Sequence, residues 1–195
     1  MRRKTFDTIT SIVGALLTVL LLVVGGGLLF AHNFVHDQVT KQLTAQQIYF
    51  PETGEAISSL PAGDQPAIEK YAGQQLTTGA QAEAYANHYI NAHLQGMSGG
   101  KTYAQLSTES RANPDDADLV ALVNTVFKGE TLRGLLLNAY AFDTMATVAG
   151  IGAIIAFLGA AVMALLTVLG FRHAHVAPAE KDLTIGGAAP VAVTA

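Results

Sequence analysis

Two pairs of histidines have the spacings that could do chemistry. His32 and His36 stand four apart, with Asp37 adjacent. On a helix, residues i and i+4 share a face, which is the spacing of paired metal-binding histidines. The residues between them include no glutamate of the HExxH kind, and the sequence assigns no third ligand. The alternative is that both rings sit at the level of lipid headgroups, where an amphipathic imidazole is comfortable. His88 and His93, in NHYINAH, stand five apart. Five α-helical residues turn through about 500°, so these rings point about 140° from each other, and one helix does not aim both at one metal. His93 falls beside Tyr85 and Tyr89 and reads as a partly buried, hydrogen-bonded core residue, with His88 nearer the polar side. These four histidines are the candidate metal ligands. No catalytic residue and no cofactor is assigned.

Other chemistries lack their signatures. GxSxG, P-loop, dinucleotide-turn and EF-hand patterns are all missing. The Gly25-Gly26-Gly27 cluster lies inside an apolar run and does not cradle phosphate. Cysteine is absent, which excludes disulfides, thiolate metal sites and a cysteine nucleophile. A net charge of -4 argues against a nucleic-acid-binding surface.

The elements that must position these residues follow from the distribution of apolar side chains. The 195-residue chain is 50% hydrophobic and 13% charged, too apolar and too lightly charged for an ordinary soluble domain. From Thr8 to Ala31, and again from Thr144 to Phe171, no residue is charged. About 20 helical residues cross the hydrocarbon core, so each run is long enough. The first exceeds the apolar region of a secretory signal, and Leu29-Phe30-Ala31 places a large residue where cleavage prefers a small one. It is expected to stay as an anchor. Arg2, Arg3 and Lys4 precede the first run and Arg172 follows the second, so the positive-inside rule keeps both ends in the cytoplasm.

The expected architecture is an all-α protein of the plasma membrane. Residues 1–7 form a cytoplasmic N-terminus, 8–31 and 144–171 are transmembrane helices, and 172–195 are a disordered cytoplasmic tail. Residues 32–143 form an extracytoplasmic helical domain, carried on outward extensions of both spans that act as a rigid two-helix stem. Neither span carries an internal ionisable residue, so ion or charged-substrate transport by this chain alone is not expected. Gly152, Ala156, Ala160 and Ala164 recur every four residues in the second span, with Ala149, Ala153 and Gly159 beside them. Such a stripe lets another helix approach closely. The first reading is packing of one span on the other; the alternative is a homo-oligomer or a partner's helix.

In the outer segment, Val35, Val39 and Leu43 continue one helical face from the first span, and Ile48-Tyr49-Phe50 is expected to be extended. Asp64 with Pro66 reads as a helix start and Gly73 as a stop. Thr78 and Gln81 have capping-box spacing, opening a helix that SGG (Ser98 to Gly100) ends. Lys101 to Arg111 predicts a short helix. NPDD (Asn113 to Asp116) reads as a further start with Asn113 as the N-cap, Lys128-Gly129 as a stop, and Glu130 to Phe171 as one long helix. Glu130 and Arg133 are spaced to pair, Arg133 having a carboxylate across the domain as its alternative; Asp143 marks the membrane interface.

The segments AYANHYINAHLQGMSGGKTYAQLS (Ala84 to Ser107) and FKGETLRGLLLNAYAF (Phe127 to Phe142) resemble a family of two-span membrane proteins from actinobacteria. The resemblance covers the chain from the basic N-terminus through the second span. It implies the two-span fold and carries no established mechanism. Members are often catalogued as "aromatic ring-opening dioxygenase", which implies iron held by two histidines and a carboxylate in an enclosed cavity; the sequence itself identifies no such triad. The functional expectation is therefore a non-enzymatic accessory protein of the cell envelope, its partners the bilayer, another membrane or envelope protein or a second copy, and not nucleic acid. The alternative is an extracytoplasmic ligand or metal sensor acting through a partner.

Overall fold

The computed structural model describes residues 3–176. These are all-α, with a single isolated antiparallel bridge, Tyr49 to Gln75, outside the helices. In chain order the elements are α1 (Arg3–Ala45), α2 (Glu55–Ser58), α3 (Gln65–Glu69), α4 (Gly79–Ala84), a π-helical turn (Tyr85–Ile90), α5 (Asn91–Ser98), α6 (Tyr103–Ala112) and α7 (Ala117–Val176). α1 and α7 are long and apolar enough to cross a membrane. The chain divides into two compact units, one of Phe30–Gly150 and one of Met1–Leu29 with Ile151–Ala195.

In the Phe30–Gly150 unit, the core follows from apolar spacing. Val39 and Leu43, one turn apart on α1, are buried with Phe50, Ile57, Leu60, Ile68, Leu76, Ala82 and Leu136. The segment between α1 and α4 is folded under by short backbone bonds: Phe50 N–H donates to the Gln74 carbonyl at 2.9 Å and Leu76 N–H to the Ile48 carbonyl at 2.8 Å. A second, smaller core joins Leu94 of α5, Leu106 of α6 and Val126 of α7.

Helix ends are set by side chains. Thr78 and Gln81 form both halves of a capping box at α4, as do Thr102 and Gln105 at α6. α5 stops at Gly99, whose φ of 60° is the left-handed conformation that glycine adopts without Cβ strain.

Several elements differ from the sequence reading. Asn113 is the C-cap of α6, its amide donating to the Glu109 carbonyl, and Asp116 instead caps α7, its carboxylate accepting from Leu119 N–H at 2.9 Å. Gly129 does not stop a helix: α7 runs through it. A Cβ there would press on the buried Leu94 side chain, so the glycine serves close packing within a helix. α2, in a stretch read as irregular, is an added short helix that buries Ile57. α7 also continues past Phe171 to Val176, so the first residues assigned to the tail are helical; residues 177–195 of that tail lie outside the described residues.

The other unit pairs the N-terminal part of α1 with the C-terminal part of α7. Gly25 admits the Phe157 ring, Gly152 faces Leu28 and Gly159 faces Leu21. Asp7 accepts a hydrogen bond from His173 Nδ1 at 2.9 Å.

Candidate functional site

A polar constellation in the Phe30–Gly150 unit joins α1, α4 and α7. His36 on α1 donates from Nδ1 to Asp143 Oδ1 on α7 at 2.8 Å. The other carboxylate oxygen, Oδ2, accepts from Gly79 N–H, the first residue of α4, at 3.1 Å. That N–H belongs to the first turn and has no partner within its helix, and a carboxylate there is favoured by the helix dipole. One turn back on α1, His32 donates from Nδ1 to the Ala146 carbonyl on α7 at 2.7 Å. A carbonyl only accepts, so the His32 tautomer is set by this bond.

Two glycines make these approaches possible. A Cβ on Gly79 would lie 2.7 Å from Asp143 Oδ2, and a Cβ on Gly150 would lie 2.9 Å from His32 Nδ1. The sequence marks Asp143 only as an interface residue and gives no role to Gly79 or Gly150. A glycine directly after an N-cap threonine, where propensity alone would choose another residue, was the available signal for Gly79.

The cluster has the composition of an iron triad, two histidines and a carboxylate, but not its geometry. The His32 and His36 rings stack nearly parallel, at 19°, with centroids 6.0 Å apart. Their Nδ1 atoms go to different acceptors, His32 to the Ala146 carbonyl and His36 to Asp143 Oδ1. Asp143 spends both oxygens on His36 and Gly79. Among the described residues, no group of three or more His, Asp or Glu is placed to hold a metal ion. Iron of the kind the family resemblance implies does not fit these residues.

The second histidine pair is not brought together either. His88 donates from Nδ1 to Asp64 Oδ1 at 2.7 Å, tying the π turn to the residue that precedes α3. His93 donates to the Tyr89 carbonyl of its own helix at 2.7 Å. The expected burial is reversed: His93 is exposed and His88 half-buried. The cause is the π turn, whose i→i+5 bonding breaks the 100° per residue on which the phase was reckoned. His93 does lie against Tyr89, with ring centroids 4.5 Å apart, and closes a ladder running from Phe50 through Tyr85 and Tyr89. Within it the Tyr85 phenol is pushed up to about 12, by burial first and by the neighbouring Tyr89 second.

The π turn also presents Asn87, whose amide donates to Glu83 Oε1 at 2.8 Å and whose carbonyl accepts from Arg133 Nη2 at 3.2 Å. Arg133 Nη1 donates to Glu130 at 3.3 Å, the expected local pair, while its buried Nε finds no partner. In the other unit, Ala156 and Ala160 of the small-residue stripe are buried, Gly152 and Ala164 are half-buried, and Gly152 lies against Leu28 of the same chain.

Comparison with protein-family models, with curated proteins and with solved structures gives no match. What fold and site define is an all-helical class with two long apolar helices, in which each histidine pair is divided among separate acceptors.

Proposed function

We propose that this chain is a two-span integral membrane protein that acts by binding a partner rather than by catalysis, with residues 32–143 as its extracytoplasmic domain. The observation that carries the membrane part is exposure. In the most apolar window of each long helix only 11% is buried, and Leu16, Val23, Ile155, Leu158 and Leu165 each stand more than half exposed. A core helix of a water-soluble fold buries such side chains; exposed runs of this size need lipid or protein around them. The basic residues at Arg2 to Lys4 and at Arg172 support cytoplasmic ends.

The binding role is supported by how the polar groups are used. His32, His36 and His88 each join two elements distant in sequence, and Asp143 joins three. This is chemistry spent on holding a small helical domain in one arrangement, as a docking module needs. The ring-opening activity attached to the family resemblance is not proposed.

The test is affinity purification of the tagged full-length chain from its native membrane, with mass spectrometry and metal analysis of one sample. A stoichiometric partner without metal is the expected result. Stoichiometric iron, zinc or copper without a partner would overturn the reading in favour of a sensor or an enzyme.

A further inference from the structure

We infer that α6 is a detachable cover, and that the apolar strip beneath it is where a partner's amphipathic helix docks in its place. The inference rests on the partner-binding reading and gives that partner a chemistry. The strip is formed by Ile90 and Leu94 on one side and by Leu119, Leu122, Val123 and Val126 of α7 on the other. The four α7 residues recur at helical spacing and so share one face.

α6 is held lightly. Leu106 is the one buried residue among its ten, whereas α4 buries four of six. Among the described residues, the side-chain hydrogen bonds of residues 94–126 join partners at most eight apart, the widest being Lys101 to Glu109. Elsewhere in the same unit His36, His88 and Arg133 tie elements far apart in sequence. Both ends of α6 are satisfied from within. Thr102 and Gln105 cap its first turn, and the Asn113 amide donates to the Glu109 carbonyl at its last. Lifting α6 off therefore breaks none of these bonds; it costs the burial of Leu106 and of the surface under it.

The way α6 fills the strip selects the occupant. It is a helix, so the strip already accepts one, with a leucine as the anchor. One turn beyond Leu106, α6 presents Glu109 and Ser110, half-buried polar residues, and Leu119, Leu122 and Val123 stay only partly buried. A helix with a second aliphatic residue three or four positions after its leucine covers more of this surface, as helix-in-groove recognition requires. α6 is thus an imperfect copy of the ligand, weak enough to be displaced.

Hydrogen exchange of the detergent-solubilised full chain, read by peptide mass spectrometry, tests the cover. Residues 106–112 should exchange about tenfold or more faster than residues 82–90. Leu106→Ala should speed α6 by about tenfold again and leave residues 82–90 unchanged, whereas Ser110→Leu should slow it. Exchange of α6 no faster than residues 82–90, equal acceleration of both regions by Leu106→Ala, or no slowing by Ser110→Leu overturns the inference. Docking is tested with a fluorescein-labelled peptide of residues 101–113 carrying Ser110→Leu. It should bind the Leu106→Ala chain about tenfold or more tighter than the Ser110→Leu chain, whose own α6 holds the strip. Equal affinity, or no binding to either at millimolar peptide, overturns the docking site. These measurements use the purified chain alone, so they can fail while a partner is still captured from the membrane, which would leave the partner-binding reading standing.

Discussion

Gly79→Ala is the substitution that most directly probes the contact between α4 and α7. Its Cβ would fall 2.7 Å from Asp143 Oδ2 and 2.9 Å from Cγ, against about 3.5–4.0 Å for unstrained carbon contacts. The obstacle is the start of a side chain in the middle of a long helix, not a flexible tip. Relief therefore requires α4 or α7 to shift, and the shift stretches the 3.1 Å bond from Gly79 N–H to Asp143. Overpacking of this kind costs about 1–3 kcal/mol. Losing a hydrogen bond to a charged group costs about 1.5–3 kcal/mol more. Alanine's helix propensity returns up to about 1 kcal/mol. The net is a loss of about 3 kcal/mol, which lowers Tm by about 6–12 °C in a chain of this size.

All six tyrosines lie between Tyr49 and Tyr140 and the chain has no tryptophan, so the tyrosine band of the near-UV circular dichroism of the detergent-solubilised protein reports the Phe30–Gly150 unit. Gly134→Ala is the matched control. Gly134 is an exposed residue inside α7, with nothing within 4 Å of its would-be Cβ, so alanine there should raise Tm by about 2–4 °C. Gly129→Ala should fall between the two, because the Leu94 methyl groups it meets can rotate away. Asp143→Ala should be destabilising alone and less than additive with Gly79→Ala, since the shared bond is lost only once. A Gly79→Ala midpoint equal to or above that of the parent would refute the placement of Asp143 at the start of α4.

Ile68→Ala removes a side chain with no exposed surface and should cost about 2–5 kcal/mol, seen as a lower denaturant midpoint at unchanged slope. Thr78→Ala removes the oxygen that accepts from Gln81 N–H and should cost about 1 kcal/mol in the same assay. Tyr85 holds its proton to about 12 when folded, above its ordinary 10.0, so the folded form binds more protons between those values. Its contribution to stability is whole below pH 10 and is lost as pH rises toward 12. Absorbance titration should show a late phenol that Tyr85→Phe removes, and the same substitution should lessen the alkaline fall in stability.

What could be read from sequence was local. The Thr78–Gln81 capping box, the stop at Gly99 and the Val39–Leu43 face depend on residues within a turn or two of each other, and all are present. Gly129 misled because a glycine that ends a helix and one that admits a neighbour's side chain look alike; only the position of Leu94, thirty-five residues earlier, distinguishes them. Asn113 and Asp116 are both good caps; Asn113 closes α6 on the Glu109 carbonyl, and Asp116 takes the Leu119 N–H of α7. The π turn has no compositional signature, so the phases of His88 and His93 were not legible. His36 and Asp143 are 107 residues apart, and no spacing rule could pair them.

Apolar packing alone leaves the register of α1 against α7 loosely specified. Val35, Val39 and Leu43 repeat every four residues, so sliding α1 by one turn replaces each apolar side chain with another of similar size. Such exchanges in a core usually cost little. The polar bonds repeat only once. A one-turn slide keeps at most one of them: either His32 takes the place of His36 at Asp143 and Leu28 comes to the Ala146 carbonyl, or His36 takes the place of His32 and Thr40 comes to Asp143. It could not be repaired by moving Asp143, whose other oxygen is fixed on Gly79 N–H. The four-residue spacing that resembles a metal site is therefore the spacing of two register pins on one helix face. They select one alignment from several that the hydrophobic residues would accept.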